Sequence, residues 1–260
     1  MKLEKKNLAG LFCSQPFEYL DIHFVNGNIE CYVCCPTWLP TSIGPFGEEN
    51  VIDIWNNSTI QKIRQSVFDG TYEYCNADLC PEIQDGKLHD VRFAKDPNHR
   101  KIIKDNKTYL DRGPRRINFS EDRTCNLSCP SCRTSIISID KDDLDKIKAF
   151  REKFLPRLLE TAGSIFVCSA GDPFASPIYK DFLFNLDGKK YPQLEINILT
   201  NGVLFTPQTW QSMIKIHKNL HTIFISLDAA KEDTYNIVRR GGDLNKAISN
   251  IEFLSTLLNT

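Results

Sequence analysis

From Arg116 onward the chain alternates short apolar runs with longer amphipathic ones. INFSED, SIFVCSAGDP, LEINILTNG and HTIFISLDAA are each nearly continuous in apolar residues. Such runs predict strands buried on both faces, the habit of a parallel sheet. After the first comes DDLDKIKAFREKFLPRLLE, where Leu144, Ile147, Phe150, Phe154 and Leu158 recur at helical spacing. Pro156 is expected to kink this helix near its end. A short helical run through Trp210, Met213 and Ile214 follows the third strand. A last helix sets Leu244, Ile248, Ile251 and Leu258 on one face. Strands alternating with helices predict an α/β fold of parallel β/α units. In such folds ligands sit at the C-terminal ends of the strands. Polar or glycine-rich stretches converge there: Ala170-Gly171-Asp172, Thr200-Asn201-Gly202, Ser226-Leu227-Asp228 and a cysteine-bearing loop after the first strand.

The pattern before Arg116 is different. FEYLDIHFVNGNIECYV sets two apolar-rich runs around Asn26-Gly27, a hairpin signal. PTWLPTSIGPFGE reads as loop. NNSTIQKIRQSVFDG predicts a helix capped by Ser58 or Asn57, with Ile60, Ile63 and Val67 on one face and Gly70 at its end. Residues 86–115 are polar and charged, and read as a solvated connecting segment. The expected division is a small, irregular, cysteine-rich α+β module over 1–85, a linker over 86–115 and the β/α series over 116–260.

Composition narrows the partners. Of 260 residues 41% are apolar and 25% charged, with a formal net charge of −1. No broad basic field exists to hold nucleic acid or an anionic membrane. The first twenty residues lack a signal-peptide core, and no run approaches the roughly 18 apolar residues of a membrane span. A cytoplasmic location is expected. In that reducing setting the ten cysteines point to metal rather than to disulfides.

Cys125, Cys129 and Cys132 form a CxxxCxxC triplet. Structural zinc commonly takes four protein ligands, and no fourth lies near. A redox pair would explain Cys129 and Cys132 and leave Cys125 idle. A [4Fe–4S] cluster with three thiolates keeps one iron open to a small molecule. CxxxCxxC after a first strand resembles the radical S-adenosylmethionine (SAM) enzymes. Ala170-Gly171-Asp172-Pro173 resembles that family's GGEP motif, with Asp172 in place of Glu and Ala170 in place of Gly. Leu199-Thr200-Asn201-Gly202 and Ile225-Ser226-Leu227-Asp228 resemble its third- and fourth-strand motifs. YNIVRRGG, residues 235–242, resembles the stretch whose first arginine, here Arg239, reaches the SAM carboxylate. Ser131 departs from the aromatic residue often found before the last cysteine.

The resemblance implies a partial TIM-type (β/α) barrel of about four β/α units. It also implies a [4Fe–4S] cluster on Cys125, Cys129 and Cys132 with SAM at its open iron. SAM would be held by Gly171, Asp172, Asn201, Ser226, Asp228 and Arg239, with Asp172 or nearby carbonyls accepting from its ammonium. A flavodoxin or ferredoxin would supply the electron. The family barrel has more strands than are counted here, so the chain is expected to be part of a longer enzyme or to be closed by a partner.

Cys13, Gly27, Cys34-Cys35, the Ile54-Trp55-Asn56 to Arg64 pattern, Cys75 and Cys80 resemble a SPASM-type auxiliary module, placed before the barrel instead of after it. This implies a second [4Fe–4S] cluster on Cys13, one of Cys34 and Cys35, Cys75 and Cys80. A zinc ion on the same thiolates is the alternative, and a cysteine-rich scaffold without catalysis the alternative function. Cys31 and Cys168 read as plain buried thiols. By analogy with module-bearing relatives, the substrate is expected to be a peptide or protein.

Overall fold

The structure, a computed structural model, describes residues 8–44 and 50–257. They divide into two units. Unit 1 takes in the chain up to Ile22 and Ile29–Ile117; unit 2 takes in His23–Asn28 and the chain from Asn118.

Unit 1 opens with β1 (Leu11–Phe12) and α1 (Gln15–Glu18); the expected hairpin of β2 (Tyr19–Val25) and β3 (Asn28–Tyr32) follows, its tip, His23–Asn28, counted in unit 2. Asn26 and Gly27 take φ of 51° and 79°, which lets two residues close the turn. A four-residue helix, α2 (Val51–Ile54), precedes α3 (Ser58–Phe68). Asn57, not Ser58, caps α3 by accepting from the Ile60 N–H. Ile60, Ile63 and Val67 are buried as the periodicity predicts. Residues 45–49, the end of the predicted loop, lie outside the described residues.

The reading of 86–115 as a solvated linker does not match the structure. After α4 (Pro81–Gln84), β4 (His89–Asp90) pairs antiparallel with β1, and α5 (Pro97–Lys104) starts on an Asp96 cap. The Asn56 side chain then grips Leu110 from both sides, donating to its carbonyl (2.8 Å) and accepting from its N–H (2.7 Å). Arg64, wholly buried, donates to the carbonyls of Thr108 (2.7 Å) and Pro16 (2.8 Å) and to Asn56 Oδ1 (3.0 Å). Its guanidinium lies 4.8 Å from the Trp55 ring centroid, and burial lowers its pKa to about 9. The segment is polar on its surface, yet buried side chains bind its backbone into unit 1.

In unit 2 every predicted strand forms. β5 (Arg116–Ser120), β6 (Ser164–Val167), β7 (Glu195–Thr200) and β8 (Leu220–Ile225) lie side by side in chain order. β6 with β7 and β7 with β8 are parallel, Ile165 facing Ile196 and Ile198 facing Ile223. α6 (Lys141–Thr161) runs with Pro156 inside it, and α8 (Pro207–Ser212) follows β7. Two helices that the periodicity did not single out are α7 (Pro177–Asn185) and α9 (Glu232–Val238). α10 (Leu244–Leu257) buries Leu244, Ala247 and Asn250, while Ile248 is 37% exposed. The expected apolar face is therefore rotated, because Asn250 turns inward to donate to the Gly202 and Val203 carbonyls (2.8 and 3.1 Å). Leu258 lies outside the described residues.

The sheet has two distinct faces. Phe119, Ile165, Val167, Ile196 and Ile198 are buried, and Phe119 meets Phe182 of α7 edge-on. Alternation puts Asn118, Ser120, Phe166, Asn197, Leu199, Thr222 and Phe224 on the other face. There the Phe166 and Phe224 rings pair at 5.7 Å, with Phe224 46% exposed. Among the described residues no helix is long and apolar enough to cross a membrane.

Candidate metal and cofactor site

The cysteine loop leaves β5 through two buried carboxylates. Glu121 pairs with Arg151 and accepts from the Tyr179 hydroxyl (3.2 Å). Asp122 accepts from the Thr124 N–H (2.8 Å) and from Ser176. The loop's start is thus tied to α6 and α7 before the first cysteine. The Cys125 N–H then donates to the Ile137 carbonyl (3.1 Å), closing the loop's base. Cys125 and Cys129 are buried and Cys132 is exposed.

Each of the three sulfurs has an N–H donor near it. Arg133 approaches Cys132 Sγ at 3.3 Å, Arg239 approaches Cys129 Sγ at 3.8 Å, and Cys125 Sγ faces the Leu127 N–H at 3.5 Å and Asn201 Nδ2 at 3.9 Å. Burial raises the Cys125 pKa. Donors converging on sulfur, two of them guanidinium groups, suit anionic thiolates and the sulfurs of a cluster. Among the described residues no three Cys, His, Asp or Glu side chains form a site for a single metal ion.

The second rim loop fits closely against the first. A Cβ on Gly171 would lie 2.4 Å from the Thr124 carbonyl oxygen, so any side chain there displaces the cysteine loop. The Asp172 N–H donates to that same oxygen (2.9 Å). Asp172 is engaged by the protein on both carboxylate oxygens. Its carboxylate is fully buried and accepts from Thr200 Oγ1 (2.8 Å), the Asn201 N–H (2.9 Å) and the Phe174 N–H (3.0 Å). Burial raises its pKa against those bonds. All of these partners are protein groups, so Asp172 joins the second loop to the third. The neighbouring Ala170 carbonyl accepts from Arg133 (2.8 Å).

Asn201 reaches back to the cysteine loop through Asn126 Oδ1 (2.9 Å). Ser226 continues the β7–β8 ladder, its N–H donating to the Thr200 carbonyl (2.9 Å). Asp228, at φ 62°, pairs with Arg239 at 2.8 Å, so two residues expected as separate cofactor contacts form an ion pair. The turn after α9 is stitched to the cysteine loop: the Ser128 N–H donates to the Arg240 carbonyl (3.0 Å), and Arg240 donates to Ser128 Oγ (3.1 Å) and the Thr134 carbonyl (2.9 Å). Gly171, Asp172, Asn201, Asp228 and Arg239 thus meet around the three cysteines. Arg133 and Arg240 were not singled out from the sequence; adjacency to Cys132 and to Arg239 was their only signal.

In unit 1, Cys13, Cys34, Cys75 and Cys80 line one largely apolar cavity with Trp38 and Tyr72. Cys35 is not among them; its carbonyl instead starts a turn by accepting from the Trp38 and Leu39 N–H groups. Burial, reinforced by the neighbouring sulfurs, pushes the Cys13 and Cys75 thiols up to about 12 and raises Cys34 as well. All ten cysteines are free thiols; Cys31 is buried, as is Cys168 at φ 70° just after β6.

The family model of the Radical SAM superfamily matches residues 123–259. Proteins named GTP 3′,8-cyclase from Clostridium botulinum, strains Hall and Okra among them, are 30% identical to this chain over 152 residues. The match covers 55% of this chain and 45% of those relatives, so the chain spans less than half of their length.

Proposed function

The chain belongs to the radical SAM superfamily, and on that footing we propose that it cleaves SAM reductively at a [4Fe–4S] cluster on Cys125, Cys129 and Cys132, to start radical chemistry on a peptide or protein. The observation that carries this reading is the ring of N–H donors around the three sulfurs. When bound, the cluster and SAM supply one-electron cleavage of a sulfonium C–S bond. Cys125, Cys129 and Cys132 would hold the cluster and would leave one of its irons free of protein ligand, open to SAM. Arg239 is oriented for the SAM carboxylate. Its Nη2 is held by Asp228 and its Nη1 faces Cys129, while its buried Nε has no partner among the described residues. Gly171 and Asp172 set the rim by close packing and by bonding to Thr124, Thr200 and Asn201. Anaerobic reconstitution followed by incubation with SAM and dithionite tests the proposal. The unaltered protein is expected to yield 5′-deoxyadenosine and the Cys129→Ala variant none; no product from an iron-loaded, unaltered protein overturns it.

The open sheet face favours a peptide substrate. Asn197 and Thr222 are half-buried neutral polar groups there, with Phe166 and Phe224 as apolar contacts, while Asn118 and Ser120 are buried and bonded to each other and to Ser169. A triphosphate calls for cations, and these positions include neither Lys nor Arg. The second reading, a nucleotide substrate, rests on the 30% identity to the GTP 3′,8-cyclases. In the first reading, Cys13, Cys34, Cys75 and Cys80 hold an auxiliary [4Fe–4S] cluster in a SPASM-like module. Four thiols on one cavity suit a shared metal centre, a cluster in this reading and zinc in the alternative. A flavodoxin- or ferredoxin-type donor in the cytoplasm supplies the electron.

A further inference from the structure

Of residues 130–140, Arg133 alone is buried, with 9% of its surface exposed. Its neighbour Cys132 is exposed. The guanidinium spans three acceptors. Nη1 donates to the Arg123 carbonyl (2.7 Å), and Nη2 donates to the Ala170 carbonyl (2.8 Å) and to Cys132 Sγ (3.3 Å). The first carbonyl stands just before the cysteine loop and the second on the rim loop after β6, so two fixed backbone points aim the group at the sulfur. Neither carbonyl is charged. Taking a cation out of water is unfavourable unless an anion or an aromatic face answers it. Arg151, the other buried arginine of unit 2, pairs with Glu121, and Arg64 in unit 1 lies against the Trp55 and Phe17 rings. Among the described residues Arg133 has neither a carboxylate nor a ring partner, and its remaining acceptor is the Cys132 sulfur.

We propose that Arg133 is a positioning residue that holds the Cys132 sulfur in place and supplies the counter-charge for the cluster there. This rests on the assignment of a cluster to Cys125, Cys129 and Cys132. A cysteine sulfur bound to metal is a thiolate, so it brings the negative charge that the two carbonyls lack. Net charge and hydrogen bonds to the sulfurs help set a cluster's reduction potential. The reduced state carries one more negative charge than the oxidised state, so a fixed cation beside it favours reduction. Arg133 thus makes the cluster more easily reduced than a neutral side chain of the same length would. Arg239, at 3.8 Å from Cys129 Sγ, differs because its charge is already shared with Asp228.

The test uses the full chain, reconstituted anaerobically, as Arg133→Met and Arg133→Lys. These two side chains have nearly the same length and differ in charge, so a packing role alone predicts that they behave alike. Iron content reports loading. A potentiometric titration followed by electron paramagnetic resonance reports the midpoint of the signal that SAM alters. At unchanged iron content, Arg133→Met is expected to move the midpoint down and Arg133→Lys to hold it near that of the unaltered protein. A methionine variant with an unchanged midpoint, or a lysine variant as low as the methionine one, overturns the proposal. If the methionine variant fails to load, the lysine variant still decides: restored iron supports the counter-charge, and an equally empty protein overturns it. An unaltered protein that takes up no iron removes the cluster assignment itself, and this inference with it, whereas equal midpoints leave that assignment standing.

Discussion

Gly171 shows how a single atom shapes the site. Its α-hydrogen faces the Thr124 carbonyl where a Cβ would come to 2.4 Å, a contact with backbone that cannot rotate away. Gly171→Ala should therefore cost about 1–3 kcal/mol, as overpacking does, and should loosen the cysteine loop at the same time. Urea denaturation measures the first effect and iron retention after desalting the second; a stable, fully loaded variant would contradict the packing argument. Asp172→Asn tests the neighbouring residue. An amide keeps one oxygen and replaces the other with N–H, so it meets either the Phe174 N–H or the Thr200 and Asn201 donors with a donor of its own, and stability should fall by about 1–3 kcal/mol. At this scale the grouping of Cys125, Cys129 and Cys132 on one loop was legible, since their spacing alone places them together. The bonding of Asp172 was not: nothing in the linear sequence reveals that donors from its own loop, at Phe174, and from the next, at Thr200 and Asn201, meet on its carboxylate.

Elements in unit 1 are joined by a few buried polar residues. Glu18, at the end of α1, accepts from Ser14 (2.9 Å), from His99 of α5 (3.1 Å) and from Arg116 of β5 (3.0 Å). Burial opposes its charge, but His99, Arg116 and Ser14 more than offset this and hold its carboxyl below the ordinary value of 4.5. A depressed carboxyl contributes stability above its unfolded value and loses it as pH falls through the folded one. Thermal stability, followed by the fluorescence of the three tryptophans, should therefore weaken below pH 4.5, and Glu18→Gln should flatten that dependence. An unchanged acid profile in the variant would exclude Glu18 as its source. The same tethers explain what the hydrophobic pattern could and could not disclose. The four strands of unit 2 were legible because continuous apolar runs have few other homes. α7 was not, since Tyr179, Phe182 and Phe184 interrupt any polar stripe over its nine residues; the Ser176 cap before Pro177 was its only helix signal. Residues 86–115 look like linker because what anchors them, Asn56 and Arg64, lies far away in sequence.

At the scale of the whole molecule, the thiols fall into two sets in separate units. Cys13, Cys34, Cys75 and Cys80 share a cavity inside unit 1, while Cys125, Cys129 and Cys132 share the strand-end rim of unit 2. Each set draws its donors and its packing from its own unit: Trp38 and Tyr72 in the first, Arg133, Asn201 and Arg239 in the second. Metal binding couples to the folding of the residues that hold it, so the two sets should load and fail separately. Replacing both Cys75 and Cys80 with alanine should halve the iron of the reconstituted protein and leave 5′-deoxyadenosine formation from SAM and dithionite near its original rate. Cys129→Ala should give the converse, half the iron and no SAM cleavage. Zinc in place of the lost half would assign the unit 1 cavity to that metal. Iron lost from both sites in the Cys75/Cys80 variant would mean that the auxiliary cavity supports the fold on which the rim depends, and the separation argued here would fail.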